Sequence, residues 1–133
     1  MVAFAVPPEV AFDYLADPRH RAEWQSSLAR VEDVDGEVRV GQTWTDVTKP
    51  GLRPRMTTTE LDRPHRWTET GTWRGFAATL TLTFVATPGG CEVTATMSLN
   101  GAGLRAPLAR ALGLVAPYAV RGDLRHAAGR LAA

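Results

Sequence analysis

Two short stretches place a carboxylate two residues after a tryptophan: Trp44-Thr45-Asp46 and Trp67-Thr68-Glu69. Side chains alternate across a strand with period two, so in an extended segment each carboxylate shares a face with its tryptophan. If the indoles face inward, Asp46 and Glu69 face inward with them. A carboxyl group buried beside an indole resists ionising, and a raised pKa is what a general acid working near neutral pH needs. The chemistry within reach is general acid–base transfer, such as removal of a proton next to a carbonyl with a donor holding the enolate oxygen. Glu69 or Asp46 would be the acid or base, and Tyr118 or Arg74 the donor. Glu60 shares the phase of Met56 and Thr58 and is a third candidate. The plainer alternative is that all three acids are solvent-facing strand residues. A one-residue bulge would reverse any of these assignments.

Other chemistries find little footing. His20, His65 and His126 lie on different segments, and with Cys91 as the single cysteine no pair has zinc-ligand spacing, so neither metal nor cofactor is expected. The glycine-rich signatures of P-loop and dinucleotide-binding proteins do not occur, nor does the G-x-S-x-G of α/β-hydrolases. Fifteen basic residues alternate with fourteen acidic ones for a net charge of +1, which offers no basic face to nucleic acid. A lone cysteine forms no intrachain disulfide and suits a reducing cytoplasm. Val2 to Val6 runs into Pro7-Pro8 with no secretory pattern, and the apolar stretches fall short of the ~20 residues that span a bilayer. A cytoplasmic location without integral membrane association is the expectation.

The elements that must position these residues follow from composition and period. With 133 residues, 44% hydrophobic and 22% charged, the chain has the balance of one domain over residues 1–133. At this size folding buries roughly two-thirds of the unfolded surface, so no staple is required. Val2-Ala3-Phe4-Ala5-Val6 reads as a strand, and Pro7-Pro8-Glu9 opens a helix that presents Val10, Tyr14, Phe12 and Leu15 and stops at Asp17-Pro18. A second short helix over Pro18 to about Gln25 turns Arg19, His20, Arg21 and Glu23 outward and offers Trp24 as its apolar anchor.

From Ser27 to Asn100 about six strands follow, separated by turn residues. The two clearest are Phe76 to Ala86 and Cys91 to Leu99, joined as a hairpin at Pro88-Gly89-Gly90. From Leu104 onward Leu108, Leu112, Val115, Ala119 and Gly122 recur at helical spacing, Tyr118 lies at the margin of that stripe, and Pro117 implies a bend. Arg110, Arg121 and Arg125 fall on the opposite, solvated side. The order implies an α+β domain: a curved antiparallel sheet of about seven strands closing its concave face on a long C-terminal helix.

At this level the chain resembles the START-like, or SRPBCC, superfamily, which has the birch-pollen-allergen helix-grip fold, and most of all its bacterial polyketide cyclase/dehydrase branch. The resemblance rests on Val6-Pro7-Pro8-Glu9-Val10-Ala11-Phe12-Asp13-Tyr14-Leu15-Ala16-Asp17-Pro18, Trp24, Val40-Gly41, Thr59-Glu60-Leu61-Asp62-Arg63-Pro64-His65-Arg66 and Pro88-Gly89-Gly90-Cys91-Glu92-Val93. These mark helix boundaries, turns and a packing anchor, so they speak for the fold and not for a reaction. The first strand is shorter than is usual in that superfamily.

The resemblance implies a cavity between sheet and C-terminal helix that binds a small hydrophobic molecule such as a lipid, polyketide or isoprenoid. Its expected lining is Trp44, Met56, Trp67 and Glu69 from the earlier strands, Leu80, Leu82, Phe84, Val93 and Met97 from the hairpin, and Val115 and Tyr118 from the helix. Trp73 and Phe76 are further aromatic candidates, since rings and thioethers suit flat or irregular apolar molecules. One alternative is a cyclase or dehydratase using Glu69 or Asp46 in the same cavity. Another is a protein-interaction module of the chaperone-activator kind. A monomer or weak homodimer is expected.

Overall fold

The computed structural model describes residues 1–101 and 106–132, with the backbone alone over residues 106–118. Strand β1 (Val2–Phe4) leads into helix α1 (Pro8–Ala16), a 3-10 turn (Pro18–His20) and helix α2 (Arg21–Trp24). Strands β2 (Leu28–Glu32), β3 (Thr43–Thr48), β4 (Arg55–Asp62), β5 (Arg66–Trp73), β6 (Phe76–Thr87) and β7 (Gly90–Gly101) follow, and helix α3 (Ala106–Ala132) ends the chain. All strand pairs are antiparallel, in the order β1-β7-β6-β5-β4-β3-β2. Every connection within β2 to β7 therefore joins spatial neighbours, and β1 returns to the far edge beside β7. Helix α3 packs against β7 and β1 and also meets α2. This is the helix-grip fold.

Local chemistry sets the element boundaries. Pro8 occupies the first turn of α1, where its missing N–H is no loss, and the Pro7 carbonyl accepts from the N–H of Val10 and Ala11. Asp17 caps the next turn through a hydrogen bond from the Arg19 N–H. The β6–β7 hairpin closes on Thr87 paired with Gly90. Gly90 has φ +150°, and a Cβ there would run into the Phe4 carbonyl oxygen and the Val6 backbone. The edge strand β1 thus lies directly on the backbone of a residue that must lack a side chain. The β5–β6 turn places Arg74 at φ 44° and Gly75 at φ 83°, the two positive angles a tight two-residue hairpin needs.

The core forms where α1 and the last turns of α3 meet the concave face of the sheet. Phe12 and Phe84 contribute a tilted ring pair with centroids 5.1 Å apart. The inward face of α1 is Ala11, Phe12, Leu15 and Ala16, and Val10 is exposed, contrary to the sequence expectation. Val10 stands two residues before Phe12, on the other side of a 3.6-residue turn. The buried face of α3 is Leu124 and Ala127, supported by Val120, Ala128 and Leu131. The expected stripe through Ala119 and Gly122 is exposed there, because the buried series 120, 124, 127, 131 is offset from it by about one residue. Arg121 and Arg125 are exposed. Val115, Pro117, Tyr118 and Arg110 fall where side chains lie outside the described residues, and residues 102–105 lie outside them altogether.

Candidate functional site

Between the concave sheet and α3 lies a cavity of about 340 Å³. Its walls come from every layer of the fold: Trp24 and Gln25 at the end of α2, Leu28 of β2, Met56 of β4, Gly71 and Trp73 of β5, Phe76 and Leu80 of β6, Met97 and Leu99 of β7, and Val120 of α3. Trp73 and Phe76, paired across the β5–β6 turn, stack with centroids 6.2 Å apart. Gly71 faces Met56 across the β4–β5 ladder, and a Cβ at Gly71 would stand 2.5 Å from the Met56 sulfur. The missing side chain is what lets the thioether lie back against the sheet.

Into this mostly apolar wall is set a buried charged cluster. Arg21, the first residue of α2, is 2% exposed and reaches across the cavity end to two strands. Its Nε donates to Asp46 Oδ1 at 3.1 Å and its Nη2 to Asp46 Oδ2 at 3.0 Å, a fork-on-fork pair. The same Nη2 reaches Glu69 Oε1 at 3.1 Å and Gln25 Oε1 at 3.2 Å. Nη1 stands 2.6 Å from Glu69 Oε2, close in charge terms but at an angle outside hydrogen-bond geometry, so both atoms lack a hydrogen-bond partner. Trp44 completes the cluster: its Nε1 donates to Asp46 Oδ1 at 2.9 Å, and its ring lies 5.2 Å beneath the guanidinium carbon.

The two carboxylates are not equivalent. Asp46 accepts three hydrogen bonds, from Trp44 and two nitrogens of Arg21. Glu69 accepts one, through Oε1, and its other oxygen accepts none. One guanidinium cannot neutralise two buried carboxylates, and the excess is relieved at the less well bonded one. Burial pushes the Glu69 carboxyl above its ordinary pKa; Arg21 opposes that rise and the neighbouring Asp46 charge adds to it. Burial by itself would lower the pKa of Arg21, but the charges of Glu69 and Asp46 outweigh it and raise the value. The arrangement is a charged, hydrogen-bonded fixture with one acid group that holds its proton unusually well.

Of the residues singled out in the sequence, Asp46, Met56, Glu69, Trp73, Phe76, Leu80 and Met97 line the cavity. Trp44, Trp67, Leu82, Phe84 and Val93 are buried in the core around it and not on the lining. Glu60 points away: the β4–β5 register shifts between Thr58 and Glu60, so Glu60 lies on the convex face, bonded to Arg66 at 2.7 Å and Thr68 at 2.8 Å. Arg74 is exposed on its turn, over the outer part of Trp73 at 5.3 Å, and does not reach the cavity. Arg21 was expected to face solvent and is instead the centre of the site. Its spacing of three from Trp24 puts the two on one helix face, and that is the signal that marks it.

A family model described as polyketide cyclase / dehydrase and lipid transport matches residues 2–133. The chain belongs to this family. Its helix-grip fold recurs in solved structures that share little sequence with it. The protein MLL2253 from Mesorhizobium loti is 16% identical over 96% of this chain and 90% of its own, with TM-score 0.74. Ara h 8.0201 is 16% identical over 98% of this chain and 93% of its own, with TM-score 0.76. The di-domain ARO/CYC BexL of the BE-7585A biosynthetic pathway is 19% identical over 99% of this chain, which spans 48% of BexL, with TM-score 0.74. No curated protein matches the chain in sequence. Among the described residues of this family member, no helix is long and apolar enough to cross a membrane.

Proposed function

We propose that this protein binds a small, mostly apolar molecule in the cavity between the sheet and α3, with Glu69 as its polar contact. One observation carries the reading: a cavity of about 340 Å³ whose mostly apolar wall holds a buried cluster of Arg21, Asp46 and Glu69. Ligand sites are commonly apolar chambers with a few convergent polar groups that set orientation, and this volume lies at the small end of their range of about 300–1,000 Å³. A molecule of two or three rings, or a medium-length chain, suits it; a lipid, polyketide or isoprenoid is the class.

The second reading is a cyclase or dehydratase working in the same cavity, favoured by Glu69 itself. Its raised pKa is the poise a general acid–base group requires. In its acid form it would give a proton to a hydroxyl leaving as water, and in its carboxylate form it would take one from the carbon next to a carbonyl. The similarity in fold to an ARO/CYC protein is compatible with this reading. An interaction module would be better served by a filled core, so the open cavity weighs toward a small molecule.

Native mass spectrometry of the protein purified from its own host tests the proposal. A bound hydrophobic molecule, released on denaturation, is the expected result. A ligand-free spectrum together with no uptake of any apolar molecule offered in vitro would overturn it.

A further inference from the structure

Most exposed arginines of this protein hold a carboxylate: Arg19, Arg39, Arg63, Arg66 and Arg130 pair with Asp17, Asp35, Asp13, Glu60 and Glu23. One end of the sheet breaks that pattern. There the start of β4 lies beside the end of β5, which brings the β3–β4 loop next to the β5–β6 turn. Lys49, Arg55 and Arg74 are exposed at this end and form no ion pair among the described residues. Residues 102–118 contain no Asp or Glu that could supply one. Arg55 bonds only hydroxyls, those of Thr43 and Thr45. Arg53 and Arg30 share the single carboxylate of Glu32. The other acids here are Asp33, within electrostatic reach of Arg53, and Asp123, which bonds Ser26. Cations outnumber acids, and an anionic partner is what relieves such a surplus.

The mouth of the cavity opens at the same end. Ser27, Leu52 and Thr72 line the cavity and are exposed, whereas Met56, Glu69 and Leu80 line it and are buried. Leu52 is 42% exposed on its loop. Trp73 is half-buried, while the other three indoles, of Trp24, Trp44 and Trp67, are buried. The Arg74 guanidinium carbon lies 5.3 Å over the Trp73 ring. An indole with guanidinium and aliphatic neighbours at loop tips is the composition of a surface that meets lipid headgroups. Two loop tips offer too little apolar area for the packed centre of a protein interface. A fluid bilayer needs only small apolar anchors joined to several cations, each weak by itself.

We infer that the mouth of the cavity docks on an anionic lipid bilayer, with Leu52 and Trp73 entering the headgroup layer and Lys49, Arg53, Arg55 and Arg74 meeting the lipid phosphates. The contact is peripheral, and it does not depend on what the cavity holds. It turns the mouth toward the bilayer, an arrangement that spares an apolar molecule a passage through water.

Co-sedimentation of the full chain with vesicles tests this, using phosphatidylcholine alone and equal parts of phosphatidylcholine and phosphatidylglycerol. Binding should appear on the anionic vesicles only and fade as salt is raised. Anionic vesicles with brominated acyl chains should quench tryptophan fluorescence, and Trp73→Phe should remove most of that quenching. Lys49→Glu combined with Arg74→Asn should weaken binding about tenfold or more. Asparagine suits the positive φ at position 74. Arg63→Glu with Arg66→Asn makes the same change of charge at the opposite end of β4 and β5 and should leave binding unchanged. Equal binding to both kinds of vesicle, or equal loss in the two double variants, would overturn the inference. No binding to anionic vesicles at low salt would overturn it as well, and would leave the cationic mouth to an acidic protein.

Discussion

Arg21 Nη1 and Glu69 Oε2 lie 2.6 Å apart, both buried, across the gap between a four-residue helix and the middle strand of a seven-stranded sheet. With Asp46 on β3, this contact fastens α2 over one end of the cavity. The fastening is charged, and its stability consequences follow from removing one member at a time.

Arg21→Met keeps the length of the side chain and removes its charge, leaving two carboxylates buried side by side. The loss should be about 3–5 kcal/mol, the usual penalty for stripping a buried charge of its partner. Adding Asp46→Asn and Glu69→Gln to the same chain should recover most of it, since neither carboxylate then needs a counter-charge. Urea denaturation of the single and triple variants checks this. A triple variant no more stable than Arg21→Met would show that the cluster matters through shape and not through charge.

The pH dependence of stability has a definite sign at Glu69. Its carboxyl keeps its proton to higher pH in the folded chain than in the unfolded one. Between those two values the folded state binds more protons, so this group makes stability fall as pH rises through its folded pKa, and has no effect below the ordinary glutamate range. The groups facing it are Arg21 from α2 and Asp46 from β3, with Asp123 of α3 on the same cavity wall. Surface carboxylates with lowered pKa values, such as Asp13 beside Arg63, push the opposite way, so the comparison must be a difference. Glu69→Gln should gain stability over the parent at mildly alkaline pH and lose that gain on acidification. Parallel pH profiles for parent and variant would contradict the assignment.

How much of this was visible in the sequence depends on whether the backbone kept its period. From Trp44 to Asp46 and from Trp67 to Glu69 the strands run without a bulge, so alternation alone puts both carboxylates on the concave face. At Glu60 one irregular residue in β4 reverses the face, and a single sequence carries no sign of it. The strand order and the gripping helix were legible because the turn residues and the hairpin alternation are strong local signals. Arg21 was hidden by its neighbours: next to Arg19 and His20 it reads as another solvated charge, and its burial depends on two acids 25 and 48 residues away. The face of α3 near its end was misplaced for a related reason, since Ala119 and Gly122 are small enough to lie on either side of the stripe.

The size of the cavity depends on Gly71. In Gly71→Ala the new methyl meets the Met56 sulfur at 2.5 Å, and the flexible end of Met56 yields by moving into the cavity. Ligand affinity should fall by about tenfold or more, the scale set by one methylene in an apolar pocket, while the fold stays stable. Calorimetric titration with acetylnaphthalene alongside thermal unfolding separates the two effects. Unchanged affinity would place the ligand away from Met56.

Gly90 tests how the sheet edge is held. Gly90→Ala puts a methyl group into the Phe4 carbonyl and the Val6 backbone, so β1 must leave its register with β7. The strained backbone alone costs about 1–3 kcal/mol. Hydrogen exchange should show the Val2–Phe4 amides losing protection while β4 and β5 keep theirs. Retained protection over Val2–Phe4 would mean that β1 is not secured by this contact.

The methionines offer the most direct test of the central claim, that the space between sheet and α3 is the binding site. Met56 and Met97 line the cavity, and Met1 is exposed and away from it. In a protein labelled with ¹³C at the methionine methyls, titration with acetylnaphthalene should shift the Met56 and Met97 signals saturably, give intermolecular NOEs to both, and leave Met1 unmoved. Saturable binding by calorimetry with Met56 and Met97 unshifted, or with Met1 shifting as much as they do, would contradict the account.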